Sequence, residues 1–400
     1  MKEYIQKGTN EFKKVNFALF AAGFITFANL YLTQPVLPEF AREFHISPTV
    51  ASLSLSLTTF ALAISLVIFG SLSEAWGRKR LMTISIFSAS VLTLFIAFSP
   101  SFEVILVLRV IQGVTFAGLP AIAMAYLGEE VEPKSLGIAM GLYISGNSVG
   151  GLAGRIIMGT MTDLFSWKVG MIFLGILSLT ISIYFVIALP RSRHFEPRPL
   201  QIRALTSSLL AHLKDPSMLS LYVIGFTLMA SFVSLYNYIS FKLLGPPYSL
   251  STTIVGWIFI IYLVGTFSSA WLGSLADRYG RQKMLLVGIG IMYVGALVTL
   301  NISLVIKVIG ITVFTFGFFG AHSIASGWVS KRAQHDKAQA SSLYLFFYYF
   351  GSSIGGTAGG VFWSKFGWNG VIGLISFFLL GAVTLALFLK GFPKMNEAQR

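Results

Sequence analysis

The chain has no cysteine, which excludes disulfides, thiol chemistry and thiolate metal sites. Charge is nearly as sparse: Asp, Glu, Lys and Arg make up 11% of 400 residues, where a soluble domain carries about 25%. Acids are scarcer than bases, at 15 against 29, and none sits deep in an apolar run. No G-x-x-x-x-G-K-[ST] string occurs, and acids and histidines form no cluster, so a self-contained ATP-driven pump is excluded. Nothing suggests an enzyme: the sequence offers no catalytic set, no metal site and no cofactor.

What fills the chain instead is apolar. Hydrophobic residues reach 55%, with 36 Phe and 39 Gly, a composition of helices that face lipid with large side chains and each other with small ones. In a soluble protein a net charge of +14 would suggest nucleic acid; here the cations sit in short loops and set orientation, so no nucleic-acid partner is expected. Apolar runs of about 20 residues predict twelve spans, near 16–38, 49–73, 81–99, 102–127, 135–160, 167–189, 217–243, 252–274, 283–302, 305–329, 338–363 and 367–390. The opening MKEYIQKGTNEFKKVNF runs into the first span without a small-residue cleavage site, so a retained first helix is expected. An even number of spans puts both termini on one side. That side's loops carry most of the Lys and Arg, while the other has only Arg42, Lys168, Lys242, Lys307 and Lys365, so both termini are expected in the cytoplasm.

The polar punctuation repeats. GSLSEAWGRKR at 70–80 returns as GSLADRYGRQK at 273–283, an offset of 203, each after an even-numbered span. GNSVGGLAG at 146–154 returns as GSSIGGTAG at 351–359, an offset of 205. Two six-helix halves follow, 1–190 and 217–400, joined by a cytoplasmic connector over 191–216. Parallel repeats of this kind are a transporter architecture in which one half rocks against the other around a midplane site. In each punctuation string Gly70 or Gly273 is expected to allow close helix approach, with Gly77 and Gly280 completing the pattern. Glu74 with Arg78, and Asp277 with Arg281, form i,i+4 pairs able to latch one conformation; a plain stop-transfer anchor is the alternative.

These strings resemble the signature loop of the major facilitator superfamily, G-x-L-x-D-x-x-G-R-[KR]-[KR], with Glu74 in place of Asp. RVIQG at 109–113 is similar to the R-x-x-Q-G motif of that superfamily's drug:proton antiporters, and SGNSVGG in span five to their glycine-rich motif, with Asn147 at the proline position. QPVLP (34–38) and GLYISGNS (141–148) resemble bacterial inner-membrane members of the twelve-span efflux group. The resemblance implies an all-α membrane protein with twelve transmembrane helices in two pseudo-symmetric bundles. It implies a secondary transporter of the cell membrane, expected as a monomer, that exports small molecules in exchange for protons; the polar and aromatic stripes described below suit an amphiphilic or aromatic cargo. Uptake of a small metabolite is the alternative within transport; a receptor would leave the repeat unexplained.

Candidate working residues follow. Arg109 lies inside span four, where insertion of an ionised group costs roughly 2.5–3.5 kcal/mol, with Gln112 and Phe116 on its face. Either it adjusts a proton carrier or an anion through its field, or it snorkels outward or is tied to carbonyls of a neighbouring helix. His322 is the only histidine within a span and shares a face with Thr315 and Ser326, so it is either a titrating ring or a satisfied packing residue. Glu39 is a further proton candidate, or a solvated partner of Arg42. Polar and aromatic stripes propose a cavity lined by Asn29 and Thr33, Tyr143 and Asn147, Ser231, Tyr236 and Asn237, Tyr262, and Tyr344 and Tyr348, with little fixed charge. The glycines of spans five and eleven are expected to be sliding surfaces between halves, and Arg155 to pair with Asp163 or reach headgroups. In the connector, Ile202, Leu205, Leu209 and Leu213 form one stripe, with Arg203, His212 and Lys214 off it, as for a helix on the membrane surface.

Overall fold

The computed structural model of the chain describes residues 4–196 and 202–389. Ten helices among them are long and apolar enough to cross a membrane. One of these, Lys337–Phe388, turns at Gly367 (φ 60°, ψ −146°) and is two spans, 337–366 and 368–388. Span four is broken into Phe102–Phe116 and Ala123–Glu130, because Pro120 cannot continue a helical ladder. Twelve crossings result, as the apolar runs predict. The others are Asn10–Tyr31, Pro48–Trp76, Arg78–Ala97, Leu136–Leu164, Trp167–Ala188, Pro216–Leu244, Thr252–Tyr279, Arg281–Val298 and Leu304–Arg332.

The repeat in the sequence is a repeat in local structure. Ser47 caps span two by accepting from the Val50 N–H, and Ser251 caps span eight by accepting from Ile254. Gly77 (φ 94°, ψ 138°) and Gly280 (φ 97°, ψ 134°) turn the chain from span two into three and from eight into nine. At positive φ only glycine does this without strain, which explains why both copies keep it. Gly70, by contrast, has open space around it and Gly273 meets only the Ser323 hydroxyl at ordinary contact distance, so the close helix approach expected there is absent.

The glycine ladders also lie elsewhere than expected. Gly146, Gly150 and Gly154 rest on the backbones of Phe20, Phe24 and Ala28 in span one, and Gly351 and Gly355 on Phe226 and Ala230 in span seven. Glycines four apart form one stripe per helix, and each stripe seats a pair within its own half: five on one, eleven on seven. The glycines that do touch the opposite half are Gly159 against Gly256, Gly356 against Ser56 and Gly360 against Thr49. The connector helix Ile202–Lys214 docks Leu209 and Leu213 on the second half's core, and His212 stacks on His335 with ring centroids 5.4 Å apart. Ile202, Arg203 and Leu205 lie outside the described side chains.

Candidate functional site

A cavity of about 390 Å³ lies between the halves, lined by spans one and five from the first and seven, eight, ten and eleven from the second. Beyond it, at the end away from the termini, the halves are joined. Gln34 Nε2 donates to Asn237 Oδ1 at 2.8 Å, and these two residues are 203 positions apart, the offset of the repeat. Thr253 Oγ1 donates to Asp163 Oδ2 at 2.8 Å across the same seam. At the opposite end the punctuation loops stay within their own halves. The expected Glu74–Arg78 pair is stretched to 4.0 Å; Arg78 instead binds Glu129 at the end of span four at 2.7 Å and Ser73 Oγ at 2.5 Å. Asp277 holds both Arg281 (2.8 Å) and Lys331 (3.0 Å).

Of the residues proposed for the cavity, Asn147, Tyr262 and Tyr348 line it. Asn29 is tied among helices, donating to Ser178 Oγ and accepting from Thr93. Ser231 bonds the Thr227 carbonyl, Tyr236 meets Thr315 Oγ1 at 2.7 Å, and Tyr344 meets His322 Nδ1 at 2.9 Å. Thr33 and Tyr143 are buried with unpartnered hydroxyls and are not among the lining residues. Stripes of hydroxyls on apolar helices mostly serve helix contacts, because an unpaired hydroxyl in hydrocarbon is costly.

Arg109 is fully buried and does not reach the cavity. It donates to the carbonyls of Ser54 (2.8 Å), Asn29 (2.9 Å) and Leu30 (2.7 Å) and to Gln112 Oε1 (2.6 Å). Asn29 and Leu30 belong to the last turn of span one, whose carbonyls lack helical partners. Gln112 in turn donates to the Ala89 carbonyl and Thr93. Arg109 thereby fixes the turn that delivers Tyr31 and Gln34 to the cavity. His322 stands one layer behind the wall, against the rings of Phe318 (5.8 Å) and Tyr348 (4.6 Å). Glu39 pairs with Arg42 at 2.6 Å and is not among the residues lining the cavity.

The residue that sequence reasoning misplaced is Arg155. It neither pairs with Asp163 nor reaches headgroups; it is 2% exposed and lines the cavity. Nε donates to Gln34 Oε1 (2.7 Å) and Nη1 to the Gly151 carbonyl (2.5 Å). Its guanidinium lies over the rings of Tyr31 (4.2 Å), Phe259 (4.9 Å) and Tyr262 (4.9 Å). Each such contact stabilises a desolvated cation by up to about 2 kcal/mol, enough to keep a charge in place but not to neutralise it. The signal was present: Tyr143, Asn147 and Gly151 mark a face, and four residues on stands Arg155.

Two pseudo-symmetric six-helix bundles around a central cavity, hydrogen-bonded to each other at the end away from the termini, define a membrane transporter. The model of the Major Facilitator Superfamily matches residues 19–245 and 238–399, and the chain belongs to that family. It is 58% identical to an uncharacterized MFS-type transporter, YybF, of Bacillus subtilis over 98% of both chains. It is 44% identical to the inner membrane transport protein YnfM of Escherichia coli, over 95% of this chain and 91% of that one. Identity to the multi-drug resistance efflux pump PmrA of Streptococcus pneumoniae is 25%, over 87% of this chain and 89% of that one. Among solved structures, a bacterial homolog of the human lysosomal transporter Spinster, inward-facing and occupied, matches with TM-score 0.76 at 14% identity, covering 96% and 98% of the chains. The nucleoside transporter NupG matches at 0.74 and 16% identity, covering 95% of this chain and all 100% of that one. The chain is thus a multi-pass membrane transporter and not an enzyme.

Proposed function

We propose that the protein exports amphiphilic or aromatic small molecules across the cytoplasmic membrane, in exchange for protons, by alternating access, with both termini in the cytoplasm. The observation that carries this reading is the cavity itself. It lies between the halves, is walled by Phe27, Tyr31, Phe232, Phe318, Phe319 and Tyr348, and is clasped beyond Gln34–Asn237 but not across the punctuation loops. With the basic loops inside, the clasped end faces outward and the cavity is served from the cytoplasm. Closure at the other end would bring Glu74 or Asp277 toward the opposite half, where a helix N-terminus favours a carboxylate. In the proton's path we place His322, a titratable ring one layer behind the cavity wall that can act through Tyr348.

The reading is tested in proteoliposomes loaded with aromatic solutes under an imposed proton gradient. Efflux is expected to collapse with a protonophore, and His322→Gln to lose most of the pH dependence of transport. Undiminished transport in de-energised vesicles would make the protein a uniporter.

A further inference from the structure

The cavity is electrically unbalanced. Arg155 is its only charged lining residue, and among the described residues no carboxylate pairs with it; Asp163, two turns along the same helix, is bound to Thr253. Two of the guanidinium nitrogens are engaged, but Nη2 makes no hydrogen bond. The ring of Tyr262 lies under the guanidinium, and its hydroxyl is buried and makes no hydrogen bond. A buried cation without a counter-ion, next to an orphan donor and framed by aromatic rings, is a site lacking its anion.

We propose that the solute is an organic monoanion, an aromatic or amphiphilic carboxylate, whose carboxylate sits on Nη2 of Arg155 and accepts the Tyr262 hydroxyl while its apolar body lies on the rings. This rests on the transport reading above and narrows its cargo. One cation without an acid selects one negative charge: a neutral solute leaves Arg155 unpaired, a cation adds repulsion, and a dianion leaves a charge desolvated. The site is also wired to the clasp. Gln34 accepts from Arg155 through Oε1 and donates to Asn237 through Nε2, so a carboxylate that draws the guanidinium away loosens the outer seam. Binding and outward opening thereby become one linked event. Export of an anion also runs with an inside-negative membrane potential, so a chain without an intramembrane carboxylate is suited to it.

The test uses purified full-length protein and three probes of one shape, 1-naphthoate, 1-naphthamide and 1-naphthylmethylamine, with binding read by calorimetry and passage read in liposomes. Wild type is expected to bind naphthoate at least about tenfold more tightly than the amide, as loss of a charge-assisted contact implies. Arg155→Gln should bring naphthoate to the level of the amide, and Arg155→Lys should restore part of the difference; the lysine variant also keeps the test valid if the glutamine one misfolds. Tyr262→Phe should weaken naphthoate severalfold and leave the amide unchanged. Equal affinity for naphthoate and naphthamide, or undiminished carboxylate preference in Arg155→Gln, overturns the proposal. If the amine binds best and crosses the bilayer, the cavity transports but its cargo is cationic. If none of the three binds or crosses, the transport reading of this cavity falls with it.

Discussion

The two halves share one plan but place their charge differently. In the first, the punctuation string pivots on its arginine: Arg78 is buried and held by Glu129 and Ser73, while Glu74 stands half-exposed. In the second it pivots on the acid, since Asp277 gathers Arg281 and Lys331 at an exposed helix end. The central cavity shows the same asymmetry. Span five brings Arg155 to the axis, where its counterpart in span eleven, by the offset of 205, is Gly360 packed on Thr49. Duplication supplies a scaffold with two equivalent places for every residue; solute recognition needs only one of each pair, so the halves keep common glycines and caps and diverge in charge.

The largest expected effect falls on what the halves share. Gly150→Val and Gly355→Val each force a branched side chain into a neighbouring helix backbone. Both should lower stability by about 3 kcal/mol, the upper end of overpacking costs. Unfolding midpoints in detergent check this, and a large effect in one half alone would break the equivalence of the two seams.

Next comes the difference between the punctuation strings. Glu129→Gln removes the counter-charge of the buried Arg78 and should cost about 1.5–3 kcal/mol, whereas Glu74→Gln, at 4.0 Å and half-exposed, should cost less than about 0.5 kcal/mol. Asp277→Asn releases the exposed Lys331 and the partly covered Arg281 and should slow turnover while leaving the melting temperature near wild type. Measuring transport and melting together separates these cases; equal losses for Glu74→Gln and Glu129→Gln would mean the first half uses its acid as the second does.

The last contrast concerns the caps at the start of each half. Thr9 caps span one without charge, and Asp215 caps span seven while accepting from Arg332 at 3.1 Å. Burial raises the Asp215 pKa, but the Arg332, Ser217 and Met218 donors outweigh it and hold the carboxyl below the usual range. A folded value below the unfolded one means that this stabilisation is present above the unfolded pKa, about 3.9, and lost as pH falls through the folded value. Asp215→Asn keeps a good cap. It should therefore cost less than about 1 kcal/mol at neutral pH and nothing once the wild-type carboxyl is protonated, as pH-resolved melting will show.

Much of this was legible in the sequence because membrane helices announce themselves by length and the repeat by identity. Twelve spans and the two halves follow from such local signals; that Gly77 and Gly280 turn the corners is visible only in their dihedral angles. What the sequence hid was tertiary. Glu129 and Arg78 are 51 residues apart, and no spacing rule joins them. The glycine ladders state that a helix packs closely, not against which helix. Helical periodicity marks a polar face without saying whether it meets a cavity, as for Asn147, or another helix, as for Asn29. Arg155 was misplaced by assuming that a charge near a span's end reaches water, although it lies on the face already marked by Asn147.

The central claim is that the seam beyond the cavity must open for transport. Because the chain has no cysteine, a pair introduced as Asp163→Cys with Thr253→Cys can be joined across it by a short bifunctional thiol reagent without side reactions. The account predicts that joining this pair stops solute passage in liposomes, that a cleavable reagent restores it on reduction, and that either single variant is insensitive. A joined double variant that transports at the uncrosslinked rate would contradict it.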